Sequence, residues 1–212
     1  MRRFVLALFL PLTAALALPA HAAAAAHGRP VVPVPKLVLN EVDYDQPGVD
    51  AGEFVEIVNV GSDRARLRNV DLILVNGTTS AEYRRVALTG PLAAGHRLLV
   101  ATRAVHAPAG VRSIPLPLAH DDLQNGSPDG VALFDTAHHV LIDALSYEGA
   151  ITAATFDGVT GHWSLVAKTP VKEADDNQEP GSLCRLPDRT DTGDDDHDWG
   201  ACATTPGAAN SA

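Results

Sequence analysis

Residues 37–61, LVLNEVDYDQPGVDAGEFVEIVNVG, decide the fold. Two runs, LVLNEV and EFVEIVN, flank an acidic connection that contains Gly and Pro. Branched and aromatic side chains fit a pleated surface, while Gly, Pro and Asp favour the turn between two strands. In the second run, apolar residues lie on both faces, with Val55 and Ile57 on one and Phe54 and Val58 on the other. This pattern is typical of a strand near the middle of a packed sandwich.

Short runs with frequent turn signals continue along the chain. They predict further strands at residues 69–76, 82–88, 96–101, 131–135, 139–146, 162–166 and 182–186, the last of the chain. No segment shows a sustained helical period of apolar residues. Residues 149–181 predict a loop-rich excursion between strands, with its later half mobile. The whole pattern predicts an all-β fold, an immunoglobulin-like β-sandwich with a loop-rich C-terminal extension.

Several motifs resemble those of the lamin tail domain, the immunoglobulin-like module of nuclear lamins that recurs in exported bacterial proteins. In chain order they are NEV (40–42), EFVEI (53–57) with Asn59, LAAG (92–95), QNGSPDGVAL (124–133), IDALSYE (142–148) and TPGAAN (205–210). PDRTDTGDDDHDW, at 187–199, is similar to the exported bacterial branch. The resemblance covers residues 37–210, with 149–181 fitting poorly. It implies the sandwich fold and supplies no catalytic residue.

The first 22 residues predict an export signal. A basic start precedes an apolar run at 4–18, and the small-residue sequence AHA at 20–22 is typical of a cleavage site. The apolar run is short for a membrane span, and no later stretch approaches the roughly 20 apolar residues that spanning requires. Residues 23–36 predict an extended Ala/Pro tether before a domain at 37–210. We therefore expect a secreted, periplasmic or cell-surface protein, with an uncleaved anchor as the alternative.

The chain is acidic. Its formal net charge is −10, and it becomes −12 when Arg2 and Arg3 leave with the signal. Such a chain repels phosphate backbones and anionic lipid, which argues against general nucleic-acid or membrane binding. The exception would be a local basic face formed by five arginines, Arg64, Arg66, Arg68, Arg84 and Arg85.

The sequence contains two cysteines, Cys184 and Cys202. In an exported protein, a pair that closes a short loop favours a disulfide. We expect this bond to tie the last strand to the C-terminal segment. Free thiols and metal ligation are the alternatives.

The sequence carries no nucleophile elbow, zinc helix, P-loop or dinucleotide-binding fingerprint. His120, Asp121 and Asp122 form the group that most resembles an imidazole with carboxylates, and we prefer the interpretation that they belong to a solvated loop. We expect a non-enzymatic module that binds a protein or another extracellular partner. The first alternative is a secreted hydrolase or nuclease-associated module with a metal-held site. The second is nucleic-acid binding, by analogy with lamin tails.

Acidic residues suggest calcium as a cofactor at two places. Five carboxylates crowd into eight residues at Asp191, Asp194, Asp195, Asp196 and Asp198. Calcium takes six to eight oxygen ligands in flexible loops, although the spacing is not that of an EF-hand. A hydrated acidic loop is the alternative interpretation.

The second candidate calcium site lies in the first connection. It comprises Asp43, Asp45 and Asp50, joined by Glu53 or Asp129 from neighbouring loops. The alternative is that Asp beside Gly and Pro serves only turn formation.

Overall fold

A computed structural model describes residues 33–211. The predicted export signal and residues 23–32 of the predicted tether lie outside this range. Among the residues described, no helix has the length and apolar character needed to cross a membrane.

The regular secondary structure of the described residues consists almost entirely of strands. Their bounds are β1 Leu37–Asp43, β2 Phe54–Asn59, β3 Ala65–Arg66, β4 Val70–Asn76, β5 Ala81–Ala87, β6 Pro91–Leu92, β7 Arg97–Ala101, β8 Arg112–Pro115, β9 Asp129–Asp135, β10 Val140–Tyr147, β11 Ser182–Arg185 and β12 Trp199–Cys202. One helical turn, α1 at Asp195–Asp198, precedes β12.

The strands form two main sheets and a small ribbon. The six-stranded sheet has the order β12-β11-β1-β2-β7-β8, and the four-stranded sheet has the order β10-β9-β4-β5. Strands β3 and β6 make a separate two-stranded ribbon. Neighbouring strands run antiparallel, except that β8 lies parallel to β7. The predicted all-β sandwich is therefore confirmed.

The two sheets share one apolar core. Val55 and Ile57 of β2 pack in this core together with Leu72 of β4 and Leu133 of β9. Phe54 points the other way, into a smaller cluster outside the six-stranded sheet. Strand β2 has β1 on one side and β7 on the other. The apolar side chains on both faces of β2 therefore reflect its central position, as the sequence predicts. Successive side chains on a strand point to opposite faces, and here both faces are covered.

Residues 149–166 cover the outer face of the four-stranded sheet. Phe156 and Leu165 pack against Phe134 in a second apolar cluster. The predicted strand at 162–166 is wrong, because only Trp163 pairs there, in an isolated bridge. The first part of this loop-rich segment is thus a packed layer, since β4 and β9 carry apolar side chains on both faces and the outer face needs a cover.

The prediction that the last strand lies at 182–186 is also wrong, because β12 follows and pairs antiparallel with β11. The predicted disulfide between Cys184 and Cys202 is present, with the two Cα atoms 6.1 Å apart. The bond thus joins two neighbouring strands of the six-stranded sheet.

Candidate functional site

A buried glutamate fixes the loop that precedes β9. Glu53 is fully buried, and its carboxylate accepts hydrogen bonds from the backbone N–H groups of Asp122 and Leu123, both at 2.8 Å. Burial raises the pKa of Glu53 to about 7, and the two hydrogen bonds oppose this rise. The side chain therefore holds residues 116–125 against the end of the six-stranded sheet.

Two further glutamates hold the C-terminal tail. Glu41 accepts hydrogen bonds from the backbone N–H of Thr205 at 2.7 Å and from its hydroxyl at 2.8 Å. Glu56 accepts one from the backbone N–H of Gly207 at 2.8 Å and one from Nε of Arg97 at 2.9 Å. Burial raises the pKa of Glu56 to about 7 despite that arginine. The tail thus lies on the outer face of the sheet.

Asn40 and Asn210 close the same network. The side-chain amide of Asn210 donates to the backbone carbonyl of Asn40 at 2.8 Å, and Asn40 donates to Glu56 at 2.8 Å. Sequence reasoning selected these positions as motif residues without a stated role. Their role in the structure is to position loops and the tail.

The loops at this end of the sandwich enclose an open polar cleft, called here the loop-end cleft. Its volume is about 250 Å³, and its lining residues are Asp50, Asn76, Asp121, Leu123, Gln124, Asn125, Gly126 and Asp129.

Hydrogen bonds fix the shape of this cleft. Asp129 accepts from the backbone N–H groups of Gly77 at 3.0 Å and Gly126 at 2.8 Å. The side-chain amide of Asn125 donates to Asp50 at 3.1 Å and to Asp45 at 3.4 Å. Loops that are distant in sequence are therefore locked to one another around the cleft.

The structure divides the predicted site in the first connection. Asp50 and Asp129 meet at the loop-end cleft, whereas Asp43 lies buried elsewhere, beside Asp175. Burial, reinforced by the neighbouring charge of Asp175, raises the pKa of Asp43 to about 8. Asp175 accepts from the backbone N–H of Tyr44 at 3.0 Å, and burial raises its pKa to about 7. Residue 43 is thus part of a buried carboxylate pair.

The aspartate-rich loop, residues 191–198, has separate partners for its carboxylates. Asp194 pairs with Lys168 at 2.5 Å, and Asp196 pairs with Lys172 at 2.5 Å. Asp195 is buried and accepts a hydrogen bond from the backbone N–H of Ala167 at 2.8 Å.

The remaining two aspartates face Arg185, which is buried in the sandwich. Nη1 of Arg185 lies 3.4 Å from Asp198 and 3.6 Å from Asp191. Its Nη2 lies 3.0 Å from Asp143 of β10, so this side chain links the two sheets. Its guanidinium also stacks over the ring of Trp199, 5.0 Å from the centroid. Sequence reasoning missed Arg185, although an arginine within the apolar run SLCRL is a signal that could have found it.

The histidine group does not come together as one site. Nδ1 of His120 lies 2.5 Å from Asp121 on the exposed surface. Asp122 is buried instead, where it pairs with Arg84 at 2.5 Å and accepts from the backbone N–H of Leu118 at 2.7 Å. Within residues 33–211, no three His, Cys, Asp or Glu side chains are arranged to hold a metal ion.

Comparisons with known proteins find structural neighbours but no relative by sequence. No family model matches the sequence, and no curated protein matches it. The fold is similar to that of a DUF4876 family protein from Bacteroides thetaiotaomicron, with a TM-score of 0.49 and 11% sequence identity. The alignment covers 80% of this chain and 71% of that chain.

Proposed function

We propose that this chain is an exported, non-enzymatic module that binds a protein or another extracellular partner at the loop-end cleft. The observation that supports it is the hydrogen-bonded bracing of the cleft by Glu53, Asp129 and Asn125. Loops held on a rigid scaffold present a fixed surface, which lowers the entropy lost on binding. The disulfide in the last two strands agrees with export to an oxidising compartment.

The alternative of a hydrolase has less support. Glu41, Glu53 and Glu56 combine burial with several hydrogen bonds from the chain itself. A general acid or base must reach a proton on the substrate, whereas the oxygens of these carboxylates already accept hydrogen bonds from loops and from the C-terminal tail. Nucleic-acid binding at the cleft is disfavoured because Asp50 and Asp121 line it and repel phosphate.

We also propose calcium as a stabilising ligand, with the loop-end cleft as the favoured location. Asp45, Asp50 and Asp129 form no ion pair with a lysine or arginine of residues 33–211. In the aspartate-rich loop, by contrast, lysines already neutralise Asp194 and Asp196. Calcium in the cleft would take the place of the Asn125 amide, which now bridges Asp45 and Asp50.

The test measures saturable binding of the labelled mature chain to the surface and exported proteins of the producing cells. Asn125→Arg places a long charged side chain in the cleft, so we expect it to abolish specific binding. Asn177→Arg makes the same exchange at an exposed position outside the cleft and serves as the control. Equal binding by the two variants would exclude the cleft.

The same variants also test the proposal that the chain is not an enzyme. Wild-type protein is assayed with ester, phosphodiester and glycoside substrates. Turnover that disappears in Asn125→Arg and persists in Asn177→Arg would replace the binding proposal with an enzymatic one.

A further inference from the structure

The small ribbon carries a row of exposed arginines. Arg64, Arg66 and Arg68 are exposed, and they alternate with the buried side chains of Ala65 and Leu67. Alternation of this kind places the arginines on the solvent side while the intervening side chains enter the core. Three cations therefore follow one another along one surface of an acidic protein.

Two open clefts flank this row and share Pro91. The larger has a volume of about 500 Å³ and is lined by Arg66, Arg68, Ala87, Leu88, Thr89, Gly90 and Pro91. The smaller has a volume of about 240 Å³ and is lined by Arg64, Pro91, Leu92, Ala93, His96, Arg97, Gly110 and Arg112. Of the residues that the structure describes, no carboxylate lines either cleft.

Arg112 adds a guanidinium beside the row. Its Nη1 donates to the backbone carbonyl of Thr89 at 2.6 Å, whereas its Nη2 is shielded from solvent and has no hydrogen-bond partner among residues 33–211. We call Arg64, Arg66, Arg68 and Arg112 the arginine surface.

The other two arginines of the hypothetical basic face do not belong to this surface. Arg84 pairs with Asp122 at 2.5 Å, and Arg85 pairs with Glu82 at 2.5 Å. The arginine surface, by contrast, forms no ion pair with any carboxylate of residues 33–211. Its positive charge is therefore available to a ligand.

We propose that the arginine surface binds an extended acidic segment of a partner protein. Carboxylates at every second position of an extended peptide lie on one side of it, ~6.6 Å apart, and so present a row of anions to the exposed guanidinium groups of Arg64, Arg66 and Arg68. Guanidinium groups bind carboxylates through paired, charge-assisted hydrogen bonds. Ala87 and Pro91 give the larger cleft an apolar floor for the intervening side chains.

The lining of the larger cleft favours a peptide over a single-stranded nucleic acid. Phe, Tyr, Trp and His are all absent from it. Nucleic-acid bases need such flat side chains to stack on, whereas an acidic peptide does not. The acidic remainder of the protein also repels a long polyanion more strongly than a short acidic segment. This interaction does not depend on the loop-end cleft.

The test uses a fluorescein-labelled peptide of alternating glutamate and valine, followed by fluorescence anisotropy at low ionic strength. We expect the peptide to bind the wild-type protein and a glutamine-for-glutamate peptide not to bind. Arg66→Glu should weaken binding by about tenfold or more, because it removes charge-assisted hydrogen bonds and adds repulsion. Arg68→Glu, as a second variant, should have the same effect.

Arg103→Glu is the matched control, because Arg103 is exposed, lines neither cleft and undergoes the same change in charge. It should bind the peptide nearly as well as the wild type does. All three variants should have the melting temperature of the wild type. If Arg66→Glu and Arg103→Glu weakened peptide binding equally, the effect would come from net charge alone and the proposal would be overturned.

Other occupants are separate outcomes of the same titration. A sulfated oligosaccharide or an oligothymidylate that binds more tightly than the peptide, with the same dependence on Arg66, would overturn the assignment to a protein segment. Self-association in sedimentation, abolished by Arg66→Glu, would assign the surface to a second copy of this chain.

Discussion

The aspartate-rich loop and the arginine surface are both runs of like charge, and the structure treats them in opposite ways. Each aspartate of the loop has a partner from another part of the chain, such as Lys168, Lys172 or Arg185. The arginines of the surface have no carboxylate partner within the described residues. A run whose charges are paired internally serves the fold, and a run whose charges are left unpaired is free to serve recognition.

The two regions also differ in how far their charged side chains are buried. Asp195 and Asp198 are buried together with Arg185, where charges must be paired to be tolerated. Arg66 and Arg68 are exposed, where water solvates a guanidinium at little cost. Substitutions in the loop should therefore change stability, and substitutions on the arginine surface should change binding.

The most direct test removes one arginine that faces the aspartate-rich loop and one arginine of the arginine surface. Arg185→Leu leaves Asp143 and Asp198 buried without their cation, so we expect it to lower the free energy of unfolding by about 3–5 kcal/mol. Arg66→Leu should change it by no more than about 0.5 kcal/mol. Urea unfolding of both variants measures the difference, and similar losses would show that pairing does not separate the two regions.

A second test concerns buried carboxylates that have no cationic partner among residues 33–211. Asp43 has a folded-state pKa of about 8 against 3.8 for the ordinary side chain, so the folded protein binds its proton more tightly. The stability that this proton provides is complete below about pH 4 and is lost as pH rises to about 8, by about 1.4 kcal/mol for each unit of pKa difference.

Urea unfolding at a series of pH values measures this decline. Asp43→Asn should make the decline less steep, because the amide does not titrate while the carboxyl groups of Glu53, Glu56 and Asp175, whose pKa values are also raised, still contribute to it. Asn at the exposed Asp63 is the control. A wild-type protein that becomes more stable between mildly acidic and mildly alkaline pH would contradict the assignment.

The smallest expected effect is that of calcium. Millimolar calcium should raise the melting temperature at constant ionic strength, because a ligand of the folded state stabilises it by mass action. If the loop-end cleft holds the ion, Asp50→Asn should abolish the rise. If the aspartate-rich loop holds it, the double exchange Asp194→Asn and Asp196→Asn should do so. A melting curve that calcium leaves unchanged would remove both sites.

Much of the fold was predictable because its signals are local. Apolar side chains on both faces of residues 54–58 predict a central strand, and β2 lies between β1 and β7. The pair of cysteines predicts the disulfide that joins β11 and β12. Two strand predictions failed. A strand was expected at residues 162–166 and is absent, whereas β12 at 199–202 was not expected. Whether so short a run pairs as a strand depends on its neighbours in space.

The candidate sites were less predictable because their partners are remote. Glu41 meets Thr205 across a separation of 164 residues, and Asp194 meets Lys168 across 26. Spacing along the sequence placed Asp43 with Asp45 and Asp50, whereas the fold buried it beside Asp175. Spacing cannot supply these contacts, because a turn brings remote residues together and strand pleating sends adjacent ones to opposite faces.

Most of the β-strands, the acidic charge and the residues capable of forming a disulfide can be read from the sequence alone. The pairing of charges depends on the tertiary structure, since the Coulomb energy of two groups depends on their distance in space and on their exposure to water. For that reason five clustered aspartates became part of a structural network, while Arg64, Arg66 and Arg68 remained exposed on one surface.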